Sequence, residues 1–154
     1  MIDIPLKDNQ VWKDGIFEFK VIHVPGHTSG HICFHFFNEK TVFTGDTLFS
    51  LGCGRIFEGS YEDMFNSLLR LKVLPPETKV YFGHEYTLNN AIFCQRFDQN
   101  NSELNKKILN IKKKLDNGFP SVPSTIKDEL NCNIFLRAKN QEEFSKLRDL
   151  KDNF

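Results

Sequence analysis

Alternating apolar and polar positions in the first half of the chain predict four short strands. Residues 17–24 alternate and end at a Pro-Gly pair, and three further segments have the same character: 32–37, 41–44 and Lys79–Phe82. Before the last of them, Ser60 resembles a helix N-cap, because Asp63 follows three residues later and apolar residues then recur at helical spacing. Pro75-Pro76 is expected to end that helix. Between the third strand and this helix, Gly52-Cys53-Gly54 predicts a flexible loop that can bring the backbone close to a ligand.

After Tyr86 the period of the pattern changes from that of a strand to that of a helix. Four helices are predicted: one over residues 88–97, one that Ser102 caps and that stops near Gly118, a short one opened by Ser124 or Thr125, and one over residues 141–150. No convincing strand follows Tyr86. The sequence therefore predicts two domains, a sheet-based domain over residues 1–86 and a helical domain over residues 87–154.

Three residues of the types that bind metals each follow a predicted strand. They are His27, Asp46 and His84, and each comes directly after a glycine. Imidazole and carboxylate groups together suit zinc, iron or manganese. Taken singly, Asp46 could be a turn carboxylate and His84 a residue at a helix start, but three such residues at the ends of strands that could be neighbours in one sheet favour a metal site.

The other histidines are weaker candidates. His23 and His35 lie inside predicted strands, where a structural role is expected. His31 either orients a neighbouring metal ligand or caps a loop, and the sequence leaves both roles open. Arg148 and Lys151 share a helix face, which is either a solvated surface or a cradle for substrate carboxylates.

Composition limits the classes of function. The formal net charge is +0, which argues against nucleic acid or an anionic membrane as a partner. No apolar run is long enough to span a membrane, and the first five residues do not resemble a signal peptide. The four cysteines are widely spaced without a C-x-x-C pair, which indicates reduced thiols and a cytoplasmic location. The 16 phenylalanines predict an aromatic-rich core.

A set of motifs runs in order through residues 17–154. It comprises G-H-T-S-G-H, F-T-G-D-T-L-F, G-C-G-R, G-H-E-Y-T, V-P-S-T and the terminal R-x-x-K-D-x-F. Together they resemble the hydroxyacylglutathione hydrolase (glyoxalase II) family of the metallo-β-lactamase superfamily. The resemblance implies an α/β fold, namely the C-terminal half of an αβ/βα sandwich followed by a small all-helical glutathione-binding domain. It also implies hydrolysis of the thioester S-D-lactoylglutathione to glutathione and D-lactate, a step of methylglyoxal detoxification.

The resemblance also assigns roles to individual residues. It implies two divalent metals, zinc with iron or manganese as alternatives, of which His27 would bind the first, His84 the second and Asp46 both. The positions that would contact a glutathione thioester are Arg55, Tyr86, Arg148 and Lys151. Arg55 stands where the family often has lysine, and the segment Asn133-Ile134-Phe135 lacks the proline of the family's N-P-F-x-R motif.

One departure from the family pattern changes the expectation. The family's metal site begins with an H-x-H-x-D-H motif near the N-terminus, and this sequence has none. Four metal ligands and the first half of the sandwich are then expected to be absent, so that metal binding by this chain alone would be weak or partial. An uncovered apolar face would also favour self-association. Three hypotheses remain open: an enzyme subunit completed by a separately encoded N-terminal half, an inactive remnant of a split gene, and a non-enzymatic module that binds glutathione conjugates.

Overall fold

A computed structural model describes residues 3–154, so residues 1 and 2, where the segment considered for a signal peptide begins, lie outside the described part. The strands are β1 (Val11–Asp14), β2 (Phe17–His23), β3 (Ile32–Phe36), β4 (Thr41–Gly45), β5 (Leu48–Phe49), β6 (Gly52–Cys53), β7 (Lys79–Phe82) and β8 (Ser124–Thr125). The helices are α1 (Tyr61–Lys72), α2 (Thr87–Phe97), α3 (Ser102–Asp116), α4 (Ile126–Cys132), α5 (Ile134–Arg137) and α6 (Gln141–Asp152).

Six of the strands form one sheet in the order β1-β2-β3-β4-β7-β8, and β5 pairs with β6 in a separate hairpin. The pair β4–β7 is parallel and all other pairs are antiparallel. The four strands predicted from the alternating pattern are found within one residue of their expected ends. The predicted start of α1 is also confirmed, because Ser60 and Asp63 form a reciprocal capping box.

The second half of the chain is helical, with details that the sequence pattern did not give. Thr125 caps α4 as one of the two residues expected there, but Asn101, not Ser102, caps α3. The short helix α5 was not predicted. The expectation that no strand follows Tyr86 was wrong, because Ser124–Thr125 pairs with β7 and forms the last strand of the large sheet.

The Gly52-Cys53-Gly54 stretch was also predicted incorrectly, as a flexible loop. Gly52 and Cys53 instead form β6 of a tight hairpin whose turn residue Leu51 has a positive φ of 60°. The whole hairpin, residues 48–53, is buried. Its rigidity follows from this burial and from hydrogen bonds to its backbone that are described below.

One face of the large sheet packs against helices. Inward-facing residues of β2, β3, β4 and β7 join the buried side of α1 in a single hydrophobic cluster, which includes Ile22, Cys33, Val42, Val80, Met64 and Leu68. The same cluster continues through α2 to α6, so the sheet and the helices share one core. Burial of this face accounts for the alternation seen in the sequence.

The opposite face of the sheet is rich in aromatic residues and remains partly open. Val21, Phe34, Phe43 and Tyr81 lie side by side across four strands, and Phe43 stacks on Tyr81 at 5.3 Å between ring centroids. Phe43 is 43% exposed. Several phenylalanines that composition assigned to the core thus line a surface instead.

No helix within residues 3–154 combines the length and the apolar character that crossing a membrane would need.

Candidate functional site

Three loops that follow β2, β4 and β7 meet at one edge of the large sheet. Because β2 and β4 are both antiparallel to β3, they run in the same direction, and β7 is parallel to β4. The carboxyl ends of all three strands therefore lie together, where open α/β sheets commonly bind ligands. This brings together His27, Asp46 and His84, as the sequence predicted for neighbouring strand ends.

The carboxylate of Asp46 lies between the two imidazoles. Its Oδ2 is 3.6 Å from Nε2 of His27, and its Oδ1 is 3.4 Å from Nε2 of His84. Oδ1 is buried and has no hydrogen-bond partner within residues 3–154. A buried carboxylate oxygen without a partner is costly, so these side chains would suit divalent cations, one held by His27 with Asp46 and one by His84 with Asp46.

No group of three or more His, Cys, Asp or Glu side chains in the described part of the chain is arranged to hold one metal ion. The arrangement around Asp46 agrees with this, because each imidazole faces a different carboxylate oxygen. The donor set matches metal binding in its chemistry, and each of two cations would find two protein ligands here.

His27 is oriented by the backbone. Its Nδ1 lies 2.9 Å from the carbonyl oxygen of Arg55, which can only accept a hydrogen bond. Nδ1 is therefore the donor of this hydrogen bond, and Nε2 is the ring nitrogen that faces Asp46.

Glycines allow the loops to approach each other closely. A Cβ atom on Gly54 would lie 1.9 Å from the carbonyl oxygen of Asp46, and one on Gly83 would lie 2.8 Å from Oδ1 of the same residue. Neither position tolerates a larger residue without movement of the Asp46 loop. The predicted close approach of backbone near Gly54 is thus found, but the partner is the chain itself.

The remaining histidines have protein partners. Nε2 of His31 lies 3.3 Å from both the carbonyl oxygen of Thr44 and the amide nitrogen of Asp46, so this ring supports the loop that carries Asp46. His23 Nε2 contacts the carbonyl oxygen of Ser29. His35 is buried within β3, where burial and the nearby Lys20 lower its pKa. These contacts are those of structural residues.

A cavity of about 600 Å³ opens in front of the three loops. All seven residues that the sequence proposed for the site line it: His27, Asp46, Arg55, His84, Tyr86, Arg148 and Lys151. The ring of Tyr86 stacks on that of His84 with centroids 5.1 Å apart. The helical region therefore contributes two cationic side chains, Arg148 and Lys151, to the cavity that holds Asp46.

Arg148 is held far more tightly than a residue on a solvated helix face. It is 3% exposed, its Nη1 donates to the carbonyl oxygen of Cys53 at 2.8 Å, and its Nη2 donates to Asp152 at 2.8 Å. Burial raises the pKa of the Cys53 thiol despite the adjacent guanidinium. Nε of Arg148 is buried without a partner among the described residues. Most of this guanidinium is thus already bound to protein.

Lys151 and Arg55 remain more accessible from the cavity. Nζ of Lys151 donates to Oδ1 of Asn89 at 2.8 Å and lies over the rings of Phe93 and Phe154. Burial, and next the charge of Arg148, lower the pKa of Lys151. The side chain of Arg55 is 61% exposed, and its Nε lies 3.4 Å from Asp152.

Sequence reasoning missed several residues of this cavity. The additional lining residues include Phe49, Phe57, Asn89 and Asn90. Phe49 was visible as the last residue of the F-T-G-D-T-L-F motif, and its ring contacts those of His84 and Tyr86. Asn89 and Asn90 carry no sequence signal beyond their place in a helix.

Two family models match consecutive parts of the chain. The model described as metallo-beta-lactamase superfamily matches residues 3–84, and the one described as hydroxyacylglutathione hydrolase C-terminus matches residues 85–154.

Among curated relatives, a hydroxyacylglutathione hydrolase of Pelagibacter ubique (strain HTCC1062) is 60% identical over 99% of this chain and 64% of its own length. One from Rhizobium etli (strain ATCC 51251) is 44% identical over 99% of this chain and 65% of its own length. The chain thus spans just under two thirds of the length of these relatives. Among solved structures, ETHE1 from Myxococcus xanthus superimposes with a TM-score of 0.68 at 27% identity, covering 96% of this chain and 52% of that one. The predicted fold class is confirmed by these matches.

Proposed function

We propose that this chain, which belongs to the hydroxyacylglutathione hydrolase family of the metallo-β-lactamase superfamily, carries part of a two-metal site for thioester hydrolysis. The observation that carries the proposal is the Asp46 carboxylate, which lies between two imidazoles and whose buried Oδ1 has no partner among the described residues. His27 and Asp46 would hold one divalent cation, and Asp46 and His84 the other. Zinc is the proposed metal, with iron or manganese as alternatives.

The substrate that fits the cavity is a thioester of glutathione, with S-D-lactoylglutathione as the proposed example. Glutathione has two carboxylates, and Lys151 and Arg55 offer cations on the cavity wall. Arg148 adds positive charge from its buried position, and Tyr86 lies beside His84, between the cations and the metal ligands. The peptide would therefore lie along the helical region with its thioester carbonyl towards Asp46.

In the proposed reaction, water adds to the thioester carbonyl, the C–S bond breaks, and the sulfur leaves as a thiolate that takes up a proton to give glutathione and D-lactate. Divalent cations, when bound, supply Lewis acidity and offset the negative charge that develops on the carbonyl oxygen. The protein's part is to fix the carboxylate of Asp46 through its loop, to orient Nε2 of His27 towards Asp46 through the hydrogen bond between Nδ1 and the Arg55 carbonyl, and to hold the substrate by its peptide part, at a distance from the reacting carbonyl.

Further metal ligands are proposed to come from another polypeptide, because a catalytic zinc normally has three protein ligands and each cation here would have two. Two sources fit the open aromatic face around Phe43: a separately encoded N-terminal half, or a second copy of the chain. A cytoplasmic location is proposed as well, supported by the four cysteines, all of which are free.

A second candidate function is the binding of glutathione conjugates without catalysis. It is favoured by the absence, within residues 3–154, of any group of three metal-ligating side chains around one point. In that case the cavity would bind the peptide through Lys151 and Arg55 with no need for metal.

The experiment that tests the first function supplies the missing ligands in trans. The portion of the Pelagibacter ubique relative that has no counterpart in this chain is mixed with the chain and zinc, and thiol release from S-D-lactoylglutathione is followed. We expect the chain alone to retain well under two zinc ions after dialysis, and activity to appear only in the mixture. Asp46→Ala should lower that activity at least about 100-fold, because it removes the group shared by both cations. Activity that survives Asp46→Ala would contradict the proposal, and conjugate binding without metal or turnover would favour the second function.

A further inference from the structure

The hairpin of residues 48–53 lies next to the segments that position the three proposed metal ligands. It begins two residues after Asp46 and ends two residues before Arg55, whose carbonyl oxygen orients His27. In its first strand, the ring of Phe49 packs against the ring of His84. The position of this hairpin therefore affects His27, Asp46 and His84 together.

The backbone of the hairpin is bound by side chains from the helical region at five consecutive carbonyl groups. Asn133 Nδ2 donates to the carbonyl oxygens of Phe49 (3.4 Å) and Gly52 (3.0 Å). The other three bonds are from Asn90 to Ser50 (3.1 Å), from the Cys94 thiol to Leu51 (3.1 Å) and from Arg148 to Cys53 (2.8 Å).

A buried carboxylate completes this set. Glu129 is 0% exposed and accepts hydrogen bonds from the backbone amide of Leu51 at 2.7 Å and from Nδ2 of Asn133 at 3.0 Å. Asn90 also lies so close to the hairpin that a Cβ atom on Gly52 would meet its amide nitrogen at 2.4 Å. Side chains from α2, α4 and α6, together with the cap of α5, thus specify the path of residues 49–53.

We propose that Asn133 and Asn90 are positioning residues: they hold the hairpin so that His27, Asp46 and His84 keep the separation needed for two cations. The inference rests on the proposed metal role of those three side chains. It gives the helical region a second task besides binding peptide, because groups that orient ligands commonly change metal affinity 10- to 100-fold when they are removed.

The test uses Asn133→Ser in the full chain. Asn133 also caps α5, since its Oδ1 accepts from the amide of Phe135, and serine retains a capping oxygen while losing the amide donor. The matched control is Asn101→Ser. Asn101 likewise caps a helix and donates from Nδ2 to a carbonyl oxygen, that of Asn131, but it does not contact the hairpin.

Two measurements are made: hydrogen exchange by mass spectrometry on the metal-free chain, and zinc affinity by competition with a chromophoric chelator. We expect Asn133→Ser to speed exchange about tenfold in peptides spanning residues 44–57 and to weaken zinc binding about tenfold. Asn101→Ser should change neither. Asn90→Ala, on a different helix and outside any cap, should reproduce the local change in exchange.

Two results would overturn the inference. One is unchanged exchange over residues 44–57 in both Asn133→Ser and Asn90→Ala. The other is an equal acceleration across the whole chain, which would assign these residues to global stability alone. If no zinc is bound even in the mixture with the missing portion of the Pelagibacter ubique relative, the proposed metal function fails, while the exchange pattern still decides whether these side chains position the hairpin.

Discussion

The sheet region (residues 3–86) and the helical region (residues 87–154) differ in how completely their buried polar groups are hydrogen-bonded. Glu129 in α4 is fully buried, and its partners include Leu51, Lys107 and Asn133. In the sheet region, Asp46, Thr47 and Thr78 each have a buried oxygen without a partner among residues 3–154. In the helical region Nε of Arg148, a cavity residue, is the one such atom described. Oδ1 of Asp46 thus has no partner among the described residues, whereas Glu129 is hydrogen-bonded within a buried network that includes the 48–53 hairpin.

The two regions also differ in how they are covered. Helices pack on one face of the sheet and close it, whereas no helix among residues 3–154 covers the aromatic face around Phe43, a residue that is 43% exposed. The helical region is thus packed and hydrogen-bonded like a protein interior. The sheet region retains an unpartnered carboxylate oxygen on Asp46 and an exposed apolar surface around Phe43. The three predictions that follow test this contrast.

The largest effect is expected from Glu129→Ala. The substitution leaves the Lys107 ammonium, the Leu51 amide and the Asn133 amide without their buried acceptor, so the free energy of unfolding should fall by about 3–5 kcal/mol. Urea unfolding measures it. Glu103→Ala is the control, because it removes an exposed carboxylate paired with Lys106 on the surface of α3, and a much smaller change is expected. Equal effects from the two variants would show that the buried network around Glu129 stabilises the helical region no more than a surface ion pair does.

A smaller effect is expected when a charge is placed on the aromatic face. We expect the chain to self-associate at micromolar concentration, and Phe43→Glu to weaken that association about tenfold, or about 1.4 kcal/mol, because the glutamate must be desolvated in the contact. Sedimentation velocity measures it. Leu109→Glu is the control, since Leu109 is 67% exposed on α3 in the helical region. A wild-type chain that stays monomeric would show that the open face does not drive association.

Local patterns predicted much of the sheet region. Alternation and the Pro25-Gly26 stop located β2, and residues directly after strands marked Asp46 and His84 as candidates. The sequence did not give the direction of β7 relative to β4, which brings those two residues together, because strand pairing depends on contacts between residues distant in the chain.

The sequence predicted most helices of the helical region, but not the hydrogen bonds that join their side chains to the rest of the protein. Helical spacing put Arg148 and Lys151 on one face, but it could not show that Arg148 is buried against the carbonyl group of Cys53, 95 residues away. For the same reason Gly52-Cys53-Gly54 was expected to be a flexible loop. The short strands of the 48–53 hairpin are fixed by side chains such as Asn133, whose partners the local sequence does not indicate.

The last prediction separates the two cations of α6. Lys151→Met should weaken binding of an S-alkylglutathione about tenfold, the low end for a charge-assisted hydrogen bond to a carboxylate, because this ammonium is partly exposed to water. Calorimetry measures the affinity, and Lys146→Met, an exposed lysine paired with Glu142, should leave it unchanged.

Because the pKa of Lys151 is lowered, its charge is lost at a lower pH than that of an ordinary lysine. The wild-type affinity should therefore decline early as the pH rises into the alkaline range, and that decline should be absent in Lys151→Met. Arg148→Met should also weaken binding, but with faster hydrogen exchange over residues 48–53, since it removes the donor to Cys53. If Lys151→Met binds the conjugate as tightly as the wild type at every pH, this helix does not hold the peptide, and the glutathione assignment is wrong.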